Sequence, residues 1–124
     1  RKTAQSREKL MRAVKKRKEQ GFWINIFPEG TRVKPGTQGY YHYGAARIAK
    51  ALQMDILPIA TNSGEFWGKG IFKLPGTVDF VIGPPISYRS GEPEEIMRQC
   101  EAWIEKTQLT INGRGPLWPR DSSR

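Results

Sequence analysis

Cysteine and histidine are almost missing from this 124-residue chain, which has one of each, Cys100 and His42. A lone cysteine excludes an internal disulfide and any cysteine-built metal site. Cys100 falls at a helix-core spacing, where a buried thiol is a better account than a nucleophile. Long apolar runs are missing too: no stretch approaches the ~20 residues of a spanning helix, and these residues contain no signal-peptide pattern. There is no metal-ligand cluster, no P-loop and no dinucleotide fingerprint, so nothing points to a metal or a bound cofactor.

Acidic residues are scarce where basic ones are dense. The net charge is +9, and residues 1–20 hold nine Lys/Arg against two acids, whereas residues 21–111 hold nine against nine. A neutral body with a basic leading segment is not the pattern of a domain whose whole face grips nucleic acid. It fits either a segment lying near an anionic phospholipid surface or a solvated helix face. The length suits one domain with a real core, although apolar content is lean at 37%.

The spacing predicts a helix over 4–19, with Leu10, Met11 and Val14 as its apolar stripe and Gly21 placed to end it. Phe22-Trp23-Ile24-Asn25-Ile26 then reads as a strand covered on both faces. A helical pattern over about 43–53 carries Ala45, Ile48, Ala49 and Leu52 on one face, and a strand over 56–61 follows. Strand, helix and strand make a βαβ unit, with Pro58 marking an edge or a bulge. Thr77–Ile82 is a third strand. The last helix starts at Pro93 with Glu94 and Glu95 in its first turn, and presents Ile96, Cys100, Trp103, Ile104 and Thr107 to the core. Residues 112–124 read as a disordered basic tail.

The most informative residues are Phe27-Pro28-Glu29-Gly30-Thr31-Arg32, because they follow a strand-like run and open a turn. Such strand ends are where α/β folds build ligand sites. Glycine lets the backbone bend closely around a ligand, and an arginine two positions on offers a planar fork suited to a phosphate. An ordinary strand-to-loop turn with a surface arginine is the other reading. On the anion reading Arg32 contacts the phosphate in bidentate fashion, and the N–H groups of Gly30 and Thr31 add to the cradle. Glu29 beside a phosphate would repel it, so it orients Arg32 or accepts a hydrogen bond from a neighbouring hydroxyl. His42 stands among Tyr40, Tyr41 and Tyr43 as a packed or surface residue, or as an imidazole facing an anion. Phe66 and Trp67 either line an apolar groove or cap the sheet.

Phe27–Arg32 resembles the third signature block of the glycerolipid acyltransferases, the 1-acyl-glycerol-3-phosphate (lysophosphatidic acid) acyltransferase family. Gly44-Ala45-Ala46-Arg47-Ile48-Ala49 resembles the helix that follows it, and Ile56-Leu57-Pro58-Ile59-Ala60 the fourth block. Asn62–Trp67 and Gly83-Pro84-Pro85-Ile86 are similar to segments of bacterial members, so the likeness runs over about residues 21–90. It implies an α/β fold with a mixed, mostly parallel central sheet and flanking helices. It also implies transfer of an acyl group from acyl-CoA or acyl carrier protein to lysophosphatidic acid, giving phosphatidic acid at the cytoplasmic face of a membrane. The family's catalytic block is H-x-x-x-x-D; here the residue five positions after the one histidine is Arg47. The chain therefore reads as the C-terminal part of an acyltransferase domain over 1–111, incomplete in its sheet, inactive alone, and supplying the acceptor phosphate site. The resemblance assigns that site to Glu29, Gly30, Thr31 and Arg32, with Arg1 as either the end of the second block or a free terminal residue. The alternatives are a non-catalytic module that binds anionic lipid or another polyanion, and a relative that has lost catalysis and serves as a scaffold.

Overall fold

In the computed structural model the described residues are 4–30, 35–36, 39–67 and 74–119. Helix α1 spans Ala4–Glu19, α2 spans Gly44–Ala51, strands β1 and β2 span Ile59–Thr61 and Phe80–Ile82, and α3 spans Pro93–Ile111. The helix predicted over 4–19 is thus present with those ends. Its stop is a Schellman motif: the Gly21 N–H donates to the Lys18 carbonyl at 2.9 Å and the Phe22 N–H to the Arg17 carbonyl at 3.0 Å. Gly21 sits at φ +81°, a left-handed conformation that glycine adopts without a Cβ penalty.

The core lies between α2, α3 and the segment just before α2. Tyr41, Ala46, Ile96, Met97 and Cys100 are buried together, with Tyr43, Ala45, Ile56, Ile86 and Ile104 packed around them. α3 also packs against β1. Its first turn carries Pro93, Glu94 and Glu95, with the acids at the positive end of the helix dipole. Burial of Cys100 against this core pushes its thiol up to about 11, with the charge of Glu101 adding to the effect.

The sheet differs from the expectation. Among the described residues it has two strands, β1 and β2, and they run antiparallel, pairing Ile59 with Ile82, Ala60 with Val81 and Thr61 with Phe80. The mostly parallel central sheet is not seen in these residues. Residues 22–27 form no strand, and Trp23 and Phe27 are 85% and 76% exposed. A strand is defined by its ladder partner, and nothing among the described residues offers one. Beyond β1 the ribbon continues to a bridge between Ile56 and Ile86. Three steps from Ile56 to Ile59 face four from Ile82 to Ile86, so one extra residue is accommodated on the Gly83–Pro85 side. The irregularity expected at Pro58 therefore lies opposite it, and the Pro58 carbonyl still accepts from the Gly83 N–H at 2.9 Å.

Residues 112–119, expected to begin a disordered tail, fold over the 3-10 turn Ser63–Glu65 instead. The buried Glu65 carboxylate accepts the Gly113 N–H at 3.2 Å and the Gly115 N–H at 2.7 Å, and the Glu65 carbonyl accepts the Leu117 N–H at 2.7 Å. A buried carboxylate must be paired, and this one recruits the backbone of the tail. Residues 120–124 lie outside the described residues.

Candidate functional site

The candidate block begins as a tight turn. The Gly30 N–H donates to the Phe27 carbonyl at 3.0 Å, closing Phe27-Pro28-Glu29-Gly30. Gly30 has φ +69°, which is what demands glycine there. Space does not, since a Cβ would stand 3.6 Å from the nearest atom of the His42 ring, an ordinary contact. The turn is tied to the chain before α2 by the His42 N–H, which donates to the Pro28 carbonyl at 2.8 Å. His42 itself is exposed, its ring beside Gly30 and edge-on to Tyr40 with centroids 4.9 Å apart. It is thus a surface residue at the edge of the candidate turn.

One residue earlier, Tyr41 points the other way, into the core, and is 4% exposed. Its hydroxyl donates to Glu105 Oε1 on α3 at 2.7 Å. Burial, then this hydrogen bond to a carboxylate, pushes the phenol well above its ordinary range. Glu29 is partly buried, and its carboxyl is likewise pushed up, first by desolvation and then by the charge of Glu105. The fold therefore gathers Glu29, Gly30, Tyr41, His42 and Glu105 at the junction of the turn with α3.

Of the residues predicted for the site, Glu29 and Gly30 are in this turn. Thr31, Arg32 and Arg1 lie outside the described residues. Tyr41 and Glu105 were not predicted. Their only trace in the sequence is a glutamate beside the apolar stripe of α3, and the contact joins positions 64 apart. Phe66 is buried and Trp67 half-exposed, so Phe66 serves the core. Among the described residues no group of three His, Cys, Asp or Glu is arranged to hold a metal ion.

Residues 1–62 match the family model described as Acyltransferase. The chain is 38% identical over 98 residues to a Pseudomonas aeruginosa protein named 1-acyl-sn-glycerol-3-phosphate acyltransferase, covering 76% of this chain and 38% of that protein. It is 30% identical over 89 residues to the mouse protein named 1-acyl-sn-glycerol-3-phosphate acyltransferase alpha, covering 69% of this chain and 31% of that protein. The chain thus spans about a third of the length of these relatives, at 38% and 31%. No solved structure matches it.

Proposed function

The chain belongs to the glycerolipid acyltransferase family, and from that premise we propose that it carries the acceptor-binding part of a 1-acyl-sn-glycerol-3-phosphate acyltransferase. The reaction moves an acyl group from the thioester of acyl-CoA or acyl carrier protein to the free hydroxyl of lysophosphatidic acid. The C–S bond breaks, an ester C–O bond forms, and the hydroxyl proton passes to a base and then to the departing thiolate. The base is not supplied here: no H-x-x-x-x-D block occurs in the 124 residues, so this stretch alone does not turn over.

The observation that carries the reading is the Phe27–Gly30 turn, anchored by the His42 N–H and leading directly into Thr31 and Arg32. Arg32 is assigned the acceptor phosphate by a bidentate contact. Glu29 is assigned the glycerol hydroxyl or the arginine. A carboxyl shifted towards its neutral form repels a phosphate less than a fully ionised one and donates as well as accepts. The test is Arg32→Ala in a chimera in which this chain replaces the matching stretch of the Pseudomonas aeruginosa relative. Losing a charge-assisted contact of about 1.5–3 kcal/mol raises the acceptor KM by roughly 10- to 100-fold. An unchanged acceptor KM in an active chimera would remove Arg32 from the site.

The second partner we assign is the anionic membrane surface, on its cytoplasmic face. α1 carries seven Lys/Arg against two Glu, and the exposed Phe22, Trp23 and Phe27 follow its C-terminal end. Basic charge beside solvent-facing aromatic rings favours a lipid interface over a nucleic acid. A non-catalytic lipid-binding module shares this feature, and the Arg32→Ala kinetics separate the two readings.

A further inference from the structure

We propose that Tyr41 and Glu105 are positioning residues of the acceptor site, a strut that fixes the Phe27–Gly30 turn to α3. The inference rests on the reading of Phe27–Arg32 as the acceptor cradle, and names residues outside that block on which its geometry depends.

The turn has little of its own to hold it. Phe27 is 76% exposed, and Gly30 has no side chain. Pro28 and Glu29 are half-buried, and among the described residues the backbone hydrogen bond from the turn to the rest of the molecule is the His42 N–H on the Pro28 carbonyl, at 2.8 Å. Residues 40–42 belong to no helix or strand, and Tyr40 and His42 are exposed. Their place is set by Tyr41, whose ring is buried with Ala46, Ile96, Met97 and Cys100 and whose hydroxyl donates to Glu105 at 2.7 Å. The chain of restraint runs from α3 through Glu105 and Tyr41 to the His42 amide and the turn.

Glu105 acts on the site a second time, through charge. Its carboxylate is close enough to Glu29 to disfavour a second negative charge there. One side chain thereby holds Tyr41 by a hydrogen bond and adds its charge to the desolvation that already raises the Glu29 carboxyl. Glutamine at 105 keeps an acceptor for Tyr41 and loses the charge; leucine loses both.

The experiment is amide hydrogen exchange on this chain, wild type against Tyr41→Phe, Glu105→Leu and Glu105→Gln. Tyr41→Phe and Glu105→Leu are expected to speed exchange at the Gly30 and His42 amides by about 10-fold, the scale of one lost hydrogen bond. The amides of Met97 and Cys100 in α3 should keep their protection, and Glu105→Gln should stay close to wild type at all four. Unchanged rates at Gly30 and His42 overturn the strut, as does a uniform loss of protection that includes α3. In the chimera, Tyr41→Phe and Glu105→Leu should raise the acceptor KM by more than they lower kcat, and Glu105→Gln, which keeps an acceptor for Tyr41, should raise it less than Glu105→Leu. If Arg32→Ala leaves the acceptor KM unchanged while the exchange result holds, the assignment of the cradle fails and the anchoring of the turn survives. The two failures are therefore distinguishable.

Discussion

At the scale of single residues, a buried carboxylate and a half-buried one meet different surroundings. Glu65 is 2% exposed and satisfied by the Gly113 and Gly115 amides. Glu29 meets desolvation and the charge of Glu105, both of which oppose its ionisation and raise its carboxyl above the ordinary 4.5. The sign of the consequence follows from proton linkage. Between 4.5 and the raised value the folded chain holds a proton that the unfolded chain has released, so stability is greatest below 4.5 and falls as pH rises through the folded value. Glu29→Gln removes the ionisation. The variant should be more stable than wild type at pH ~7, with the gap closing towards pH ~4. Urea denaturation at the two pH values checks it. Destabilisation of the variant at neutral pH would mean that the Glu29 carboxylate finds a cation, and the account of its raised carboxyl would fall.

At the scale of elements, the ends of the helices show what a sequence can and cannot announce. α1 ends in a Schellman motif at Gly21, and the glycine marks the stop in the sequence. α2 ends in the same motif, with the Gln53 N–H on the Lys50 carbonyl at 3.3 Å and the Met54 N–H on the Ala49 carbonyl at 2.8 Å. Here the left-handed residue is Gln53, at φ +55°. No glycine flags it, so the predicted helix over 43–53 overran the observed Gly44–Ala51. Gln53→Gly relieves a Cβ clash and should stabilise the chain by up to about 1 kcal/mol. A lower melting temperature for the variant would contradict this. The long amphipathic helices were legible because their periodicity is local. The sheet was less so: which strands pair, and in which direction, depends on partners distant in sequence, and residues 22–27 have the composition of a strand but no ladder partner among the described residues. The site divides along the same line. The Phe27–Gly30 turn could be read from a contiguous block, whereas the Tyr41–Glu105 bond joins residues 64 positions apart and leaves no local pattern.

At the scale of the whole molecule, charge and exposed apolar surface meet where α1 hands over to the candidate turn. Phe22 folds back on the end of α1, its N–H on the Arg17 carbonyl and its ring 5.8 Å from the Arg17 guanidinium carbon. Trp23 and Phe27 stand further out, at 85% and 76% exposed. Lys18 is spent on the Leu52 carbonyl, but Lys9, Lys15 and Lys16 lie on exposed positions of the helix. Charge alone would bind any polyanion, and aromatic rings alone would drive aggregation; together they suit a surface that is anionic outside and apolar beneath. The chain should bind vesicles of anionic phospholipid more tightly than phosphatidylcholine vesicles, and lose affinity as salt is raised. Replacing Lys9, Lys15 and Lys16 by glutamine should weaken binding by roughly 100-fold, at about 1 kcal/mol for each charge near an anionic surface. Trp23→Ala should abolish most of the blue shift of tryptophan emission on vesicle addition, because Trp23, at 85%, is the most exposed of the rings beside α1. Tighter binding to duplex DNA than to anionic vesicles at the same salt, with a fluorescence change indifferent to Trp23, would assign the basic helix to nucleic acid and remove the membrane from the account.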